Sequence, residues 1–326
     1  MSTVGVMICG HGSRDIGAVR EFEALVEAVR ARHGGTPVAS GFLEFARPVI
    51  RDGLDRLRAS GVDHVLAVPG MLFAAGHVKN DVPSVLNEYA RAHDIRIDFG
   101  RDLGIDPKLL EAARARILEA LAGRPEVPLE RTLLAVIGRG TSDPDANGNV
   151  FKVARMLGEG MGFGWVEIGF SGVAHPRVDA VLERAARLGF ERIVVAPWFL
   201  FTGVLIRRIY DRTDAVAAAH PEIEFVKAGY LNAHPLVVET FVERIAGILA
   251  GDVNMNCLLC KYRDRIIGHE AAAGAPQVGH HHHVEGIGTG PEHHHHSHHH
   301  HHAQGAGHHH HHDQPRPNGH APSSDG

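Results

Sequence analysis

A shift of 128 residues lays the first half of this chain on the second without a gap. It sets Ile8-Cys9-Gly10-His11-Gly12-Ser13 on Val136-Ile137-Gly138-Arg139-Gly140-Thr141 and Gly41-Phe42-Leu43-Glu44 on Gly169-Phe170-Ser171-Gly172. Further on, Pro69-Gly70-Met71-Leu72-Phe73 falls on Pro197-Trp198-Phe199-Leu200-Phe201. A chain that repeats its strand, turn and helix signals in this way is expected to build the same unit twice. Three residues do not survive the copying: His11, Glu44 and His77 stand opposite Arg139, Gly172 and Leu205. Groups able to bind a metal or move a proton therefore remain in the first copy only, which predicts one working site per chain.

Each copy alternates short apolar runs with amphipathic stretches. Val4 to Cys9, Val38 to Phe42, Val65 to Val68 and Ile95 to Phe99 are read as strands buried on both sides. Ile16, Val19, Phe22, Val26 and Val29 recur at helical spacing and stop at Gly34-Gly35. Pro48 reads as the start of a second helix carrying Val49, Ile50, Leu54 and Leu57. Strand and helix alternate four times per copy, which is the pattern of an α/β fold with a parallel sheet covered by helices, whose ligands bind beyond the carboxyl ends of the strands. The expected divisions are 1–124 for the first repeat with the site, 129–250 for the degenerate repeat, 251–267 for a Cys-x-x-Cys segment and 268–326 for a disordered tail. Pro125 to Pro128 links the repeats.

Charge and composition narrow the function. A formal net charge of −5 supplies no basic face for nucleic acid. No run is long and apolar enough for a membrane span, and the amino terminus lacks signal-peptide character, so a cytoplasmic protein is expected. Three cysteines cannot make a disulfide framework.

The candidate chemistry follows the strands. His11 lies between Gly10 and Gly12 directly after the first run, Glu44 at the end of the second, and His77 just beyond the third, so all three should project into one crevice. The Gly-x-Gly around His11 fits neither the dinucleotide nor the Walker spacing. A carboxylate in the apolar stretch Gly41 to Phe45 calls for a cation or a metal, because an unpaired buried charge is expensive. Asp81, one turn after His77, is placed to orient it. Two imidazoles and a carboxylate suit first-row divalent ions, and without a further histidine or cysteine nearby the set favours transient binding over a closed structural site. Cys9 reads as a small buried apolar residue.

Gly10-His11-Gly12-Ser13-Arg14, Gly41-Phe42-Leu43-Glu44 and Gly76-His77 with Asp81, in this order on this alternating pattern, resemble the sirohydrochlorin cobaltochelatases of the CbiX family, relatives of the class II ferrochelatases. The resemblance covers both repeats and implies two tandem flavodoxin-like chelatase units. It also implies ATP-independent insertion of Co²⁺ into sirohydrochlorin, an early step of cobalamin biosynthesis. On this resemblance His11 and His77 bind the incoming Co²⁺ and take up pyrrole protons, and Glu44 delivers metal or relays a proton. The carboxylate-rich substrate calls for cations or donors at the crevice. Ser13, Arg14, Arg47 and Lys79 are the candidates in the first copy, and Arg207 and Arg208 in the second. The second repeat, departing from the pattern at all three positions, is expected to wall the cleft through Trp198, Phe199 and Thr202.

Met255-Asn256-Cys257-Leu258-Leu259-Cys260 resembles the iron–sulfur motif of the long CbiX proteins. Two thiolates are half of the usual four, so an iron–sulfur cluster on Cys257 and Cys260 implies sharing across a homodimer. Zinc with tail histidines and a free thiol pair are the competing readings. Histidine runs at 280–283, 293–296, 298–302 and 308–312 point to collection of divalent metal ions beside the site. A metal store or metallochaperone is the alternative from another class, and nickel or iron insertion into a related tetrapyrrole is the nearer one.

Overall fold

The computed structural model describes residues 3–251. Cys257, Cys260, the histidine runs, the segment 268–326 and all of 251–267 beyond its first residue lie outside the described residues.

The first repeat runs β1 (Val4–Gly10), α1 (Ile16–Arg32), β2 (Val38–Phe42), α2 (Ile50–Ala59), β3 (His64–Pro69), α3 (Val82–His93), β4 (Arg96–Phe99) and α4 (Pro107–Leu121). The second follows with β5 (Thr132–Gly138), α5 (Pro144–Met161), β6 (Trp165–Phe170) and α6 (Val178–Ala186). It closes with β7 (Arg192–Pro197), α7 (Val204–Ala219), β8 (Glu224–Lys227) and α8 (Pro235–Leu249). Both sheets are parallel, in the orders β2-β1-β3-β4 and β6-β5-β7-β8. The expected fold class is thus the observed one, and the matching strand orders make the duplication structural.

Local signals explain the elements. Val6, Met7, Ile8 and Cys9 are all fully buried, as a central parallel strand covered on both faces requires, whereas β4, expected to be buried likewise, is an edge strand with Arg96 exposed and its other residues half-buried, because its charged residues alternate with apolar ones. Asp15 caps α1 by accepting from the amide of Gly17 at 2.8 Å, and Gly34 and Gly35, both at positive φ, follow its end. Pro48 does not begin α2 as its position suggested. Its carbonyl accepts from the amide of Phe42 at 2.8 Å, extending the sheet edge, and the helix starts two residues later at Ile50. Burial pushes the Cys9 thiol up to about 12, which leaves it an inert apolar side chain.

The repeats exchange their last helices. α8 packs against α1, β3 and α4 of the first repeat, while α4 packs against α5, β7 and β8 of the second. One hydrophobic core consequently runs from Val6 and Leu66 through Leu109 and Ile117 to Leu134, Val194 and Phe241. Burying a side chain such as Phe241 or Ile245 in that core stabilises by roughly 1.5–3 kcal/mol, and Arg244, also buried, bonds the Asp106 carboxylate at 2.9 Å across the junction. Each repeat is therefore completed by a helix of the other. Among the described residues no helix is long and apolar enough to cross a membrane.

Candidate metal centre

In the order β2-β1-β3-β4 successive strands are added first to one side of β1 and then to the other, and such a switch opens a crevice at the carboxyl ends of the strands. The register sets Cys9 level with Gly41 on one side and Pro69 on the other, so the loops after β1, β2 and β3 leave the sheet at one height. Gly12, at φ +100°, lets the first two loops close on each other: a Cβ there would lie 1.6 Å from the Glu44 carbonyl. The amides of Leu43 and Glu44 bond the carbonyls of Gly10 and His11 at 2.8 and 3.0 Å, which holds Glu44 beside His11. His77 opens a single turn of π-helix, His77–Asp81, that leads into α3, a local widening often found at functional sites.

The three predicted residues meet. His11 Nε2 lies 3.0 Å from His77 Nε2 and 3.4 Å from Glu44 Oε1, and one ligand atom from each falls within 4.8 Å of the others. The other ring nitrogens define the tautomers. His11 Nδ1 is 2.9 Å from the Gly12 carbonyl and His77 Nδ1 is 2.8 Å from Asp81 Oδ2. Both partners only accept, so each Nδ1 donates, and in the neutral form of the rings each Nε2 carries a lone pair. Two lone pairs facing at 3.0 Å repel unless a proton or a metal ion stands between them. A first-row metal bonded at about 2.0–2.1 Å to each nitrogen fits that separation.

Charge around the centre is tuned by burial. Glu44 is 3% exposed, and loss of water pushes its carboxyl up to about 7, with the Asp81 charge adding to the rise and His77, Arg139 and Arg14 opposing it. Asp81, almost fully buried, also accepts from Asn80 Nδ2 at 2.8 Å on its other oxygen. That bond fixes the carboxylate that fixes His77, an outer support typical of metal-binding imidazoles.

The proposed substrate contacts are distributed differently from the expectation. Ser13 Oγ accepts from the Asp15 amide at 3.0 Å, which makes it part of the turn into α1. Arg14 is exposed with its guanidinium 5.0 Å from the Phe45 ring, which in turn lies 6.2 Å from the His11 ring. Arg47 is exposed and 4.0 Å from Asp52. Lys79 is not displayed at the crevice. Its buried ammonium is held 2.7 Å from Asp143 and 3.6 Å from Asp145 of the second repeat. Arg207 reaches Asp15 at 2.5 Å, and Arg208 donates to the Ser171 carbonyl at 2.8 Å. Trp198 is also corrected: it is 4% exposed and stacked on Phe73 within the shared core rather than open to the cleft.

Two further residues, Phe45 and Arg139, neighbour the centre. Phe45 adopts φ +64°, a left-handed conformation costly for a bulky residue and characteristic of functional loops; no sequence pattern announces it. Arg139 interacts electrostatically with Glu44 from the second repeat. The repeat alignment marked its position, though only as a lost histidine.

Comparison with known proteins bears on this geometry. The CbiX family model matches residues 5–120 and again 133–248. The chain is 38% identical over 266 residues to a sirohydrochlorin cobaltochelatase of Priestia megaterium, covering 81% of this chain and 86% of that one. Among solved structures, SirB from Bacillus subtilis with Fe³⁺ superposes with a TM-score of 0.69 at 27% identity over 78% of this chain and 99% of that one. SirB from Bacillus subtilis subspecies spizizenii, a sirohydrochlorin chelatase in complex with cobalt, gives 0.65 at 26% identity over 77% and 97%.

Proposed function

The chain belongs to the CbiX family, and we propose that it is a sirohydrochlorin cobaltochelatase, a lyase that inserts Co²⁺ into sirohydrochlorin without ATP. The observation that carries this reading is the facing pair of Nε2 atoms, 3.0 Å apart, with both Nδ1 atoms committed to acceptors. Such a pair demands a cation and can exchange one cation for another.

Insertion replaces two pyrrole protons by one Co²⁺, so the site must release a metal and accept protons at nearly the same place. His11, His77 and Glu44 hold Co²⁺, the metal substrate, on one face, and the ring approaches from the other. As cobalt passes to the pyrrole nitrogens, the two imidazole lone pairs again face each other, and a proton taken up between them restores the balance. Glu44 is suited to the second proton. A carboxyl with a pKa of about 7 binds and releases protons at neutral pH, whereas an ordinary glutamate would stay ionised. Asp81 keeps the His77 ring aligned throughout, and the Phe45 ring offers the macrocycle an apolar edge beside His11.

The roles of Arg14, Arg207 and Arg208 toward substrate carboxylates, the cytoplasmic location and the two-repeat division are part of the same proposal. So are a dimer-shared iron–sulfur cluster on Cys257 and Cys260 and metal collection by the histidine runs, for which the support is the sequence alone. Iron insertion is the second reading, favoured by the structure of SirB with Fe³⁺.

The test is the anaerobic absorbance change of sirohydrochlorin mixed with Co²⁺ or Fe²⁺, comparing the intact chain with His11→Ala and His77→Ala. Cobalt insertion above background that falls at least about 100-fold in both variants is expected, on the scale of lost metal ligation and proton transfer. No acceleration by the intact chain with either metal would overturn the catalytic reading and favour a metal store. Faster insertion of iron than of cobalt would favour the second.

A further inference from the structure

Arg139 occupies the position in the second repeat that His11 occupies in the first, and the surrounding backbone is reproduced. Each is the first residue beyond the central strand, β5 ending at Gly138 as β1 ends at Gly10. Each precedes a glycine of positive φ, +81° at Gly140 and +100° at Gly12. The Arg139 carbonyl accepts from the amide of Gly172 at 2.7 Å, as that of His11 accepts from Glu44 at 3.0 Å. Both side chains are therefore launched from the same kind of loop toward the crevice.

Their surroundings differ in a chemically consistent way. Where Glu44 and His77 complete a cation site, Gly172 has no side chain and Leu205 is apolar. A Cβ on Gly172 would meet the Arg139 carbonyl at 2.9 Å and the Leu205 methyls at about 4 Å. The three metal-ligating positions have become a guanidinium, a gap and an apolar wall, a set that repels metal ions and attracts anions. Arg139 is exposed by area, yet the protein beside it is dense enough to hold its pKa below the ordinary guanidinium range, opposed by the Glu44 charge. Its Nη1 donates only a long bond of 3.3 Å to the Gly140 carbonyl. An arginine so placed has most of its fork of donors available, and that fork matches a carboxylate in two parallel bonds.

We propose that Arg139 is a substrate anchor, binding a peripheral carboxylate of the tetrapyrrole and thereby orienting the ring over His11 and His77. The anchor belongs at the rim and not over the ring face, since a fixed positive charge there would oppose the incoming dication. This assignment rests on the chelatase reading for its substrate, and it gives the degenerate repeat a specific role in recognition.

Two measurements on the full-length protein test it. The metal-free chain is titrated anaerobically with sirohydrochlorin and with its fully methyl-esterified derivative, and cobalt insertion is resolved into KM and kcat, for the intact chain and for R139A, R139K and R139E. Expected is a rise in Kd and KM for the acid of about 10- to 100-fold in R139A, the scale of hydrogen bonds to a charged group. R139E should lose more, R139K should recover part, kcat should fall far less than KM rises, and the ester should bind R139A and the intact chain alike. Matched thermal melting establishes that the variants are folded. An unchanged Kd and KM in R139A and R139E would overturn the anchor, as would a fall in kcat at constant KM, which would place Arg139 in the chemical step. If the intact chain inserts no cobalt but binds the acid in an Arg139-dependent way that the ester does not share, the chelatase reading fails and the anchor stands. If it binds neither acid nor ester, both fail.

Discussion

Asp15 caps α1 and Asp143 caps α5 at equivalent points of the two repeats, and each carboxylate reaches across to a cation of the other repeat, Arg207 and Lys79 respectively. The two cations are themselves equivalent by the same shift of 128 residues. Yet the Lys79 pair is 1% and 3% exposed, whereas Arg207 is 57% exposed and Asp15 13%. Duplication has preserved the contact and changed its environment. The sealed contact lies two residues from His77, and the open one lies two residues from Leu205. A metal ligand needs a fixed position, and a charge pair withdrawn from water is a stiff support because neither partner is left buried alone at acceptable cost. The repeat that lacks the two histidines and the glutamate keeps the same contact with its arginine open to solvent.

That contrast can be broken most forcefully at Lys79. Lys79→Met should destabilise by about 3–5 kcal/mol, because it strands buried Asp143, while Arg207→Ala should cost no more than about 1 kcal/mol. Urea unfolding of both variants checks this, and equal losses would show that burial does not separate the two contacts.

A smaller effect, of opposite sign, is expected at Glu44. Its folded pKa of about 7 stands above the ordinary 4.5, so between those pH values the folded protein holds a proton that the unfolded chain has released. Stability falls as pH rises through that window, and the penalty is complete above it. Glu44→Gln should therefore stabilise the metal-free protein at pH 8 by on the order of 2–3 kcal/mol and leave it nearly unchanged at pH 4. Melting with a chelator present at the two values measures it, and a loss of stability at pH 8 would refute the burial argument.

Asp81→Asn should cost about 10- to 100-fold in cobalt affinity, the usual weight of an outer support for a ligating imidazole. Equilibrium dialysis of a chain ending at residue 251 reads it apart from the tail histidines. In the same chain, R139H/G172E/L205H rebuilds the ligand set in the second repeat. A second cobalt equivalent is expected, about 10- to 100-fold weaker than the first, because buried Ile209 stands where Asp81 would. Two equal sites would mean that Asp81 contributes little, and no second site would assign the asymmetry to backbone geometry, either the π-helical turn of the first repeat or the close approach of the Arg139 carbonyl to Gly172.

Much of this architecture was legible from the chain alone. The apolar runs of β1, β2 and β3 were readable because a strand buried on both faces leaves nothing else for its sequence to be. The position of His11, Glu44 and His77 after successive strands of a parallel sheet then implied convergence. The reading faltered where neighbours distant in sequence decide a side chain's fate. Lys79 looked like a cation for substrate because its sequence context is a polar turn, whereas in the structure it is buried against Asp143 and Asp145 of the second repeat. Trp198 looked like a cleft wall because it follows a strand, but it stacks on Phe73 of the first repeat inside the shared core. Pro48 marked the start of α2 two residues early because its carbonyl is used by the sheet.

What the sequence determined by itself is the duplicated α/β unit, the cluster of candidate metal ligands in the first repeat and the end of the sheet where they gather. These follow from periodicity and repetition, which report local backbone geometry and burial. Only the tertiary structure decided that two Nε2 atoms face each other at 3.0 Å, that Glu44 is dehydrated enough to share a proton near neutrality, and that Arg139 acts on it from across the repeats. Those properties depend on how closely separate loops approach and how much water they exclude, and both are set by the packing of one repeat against the other.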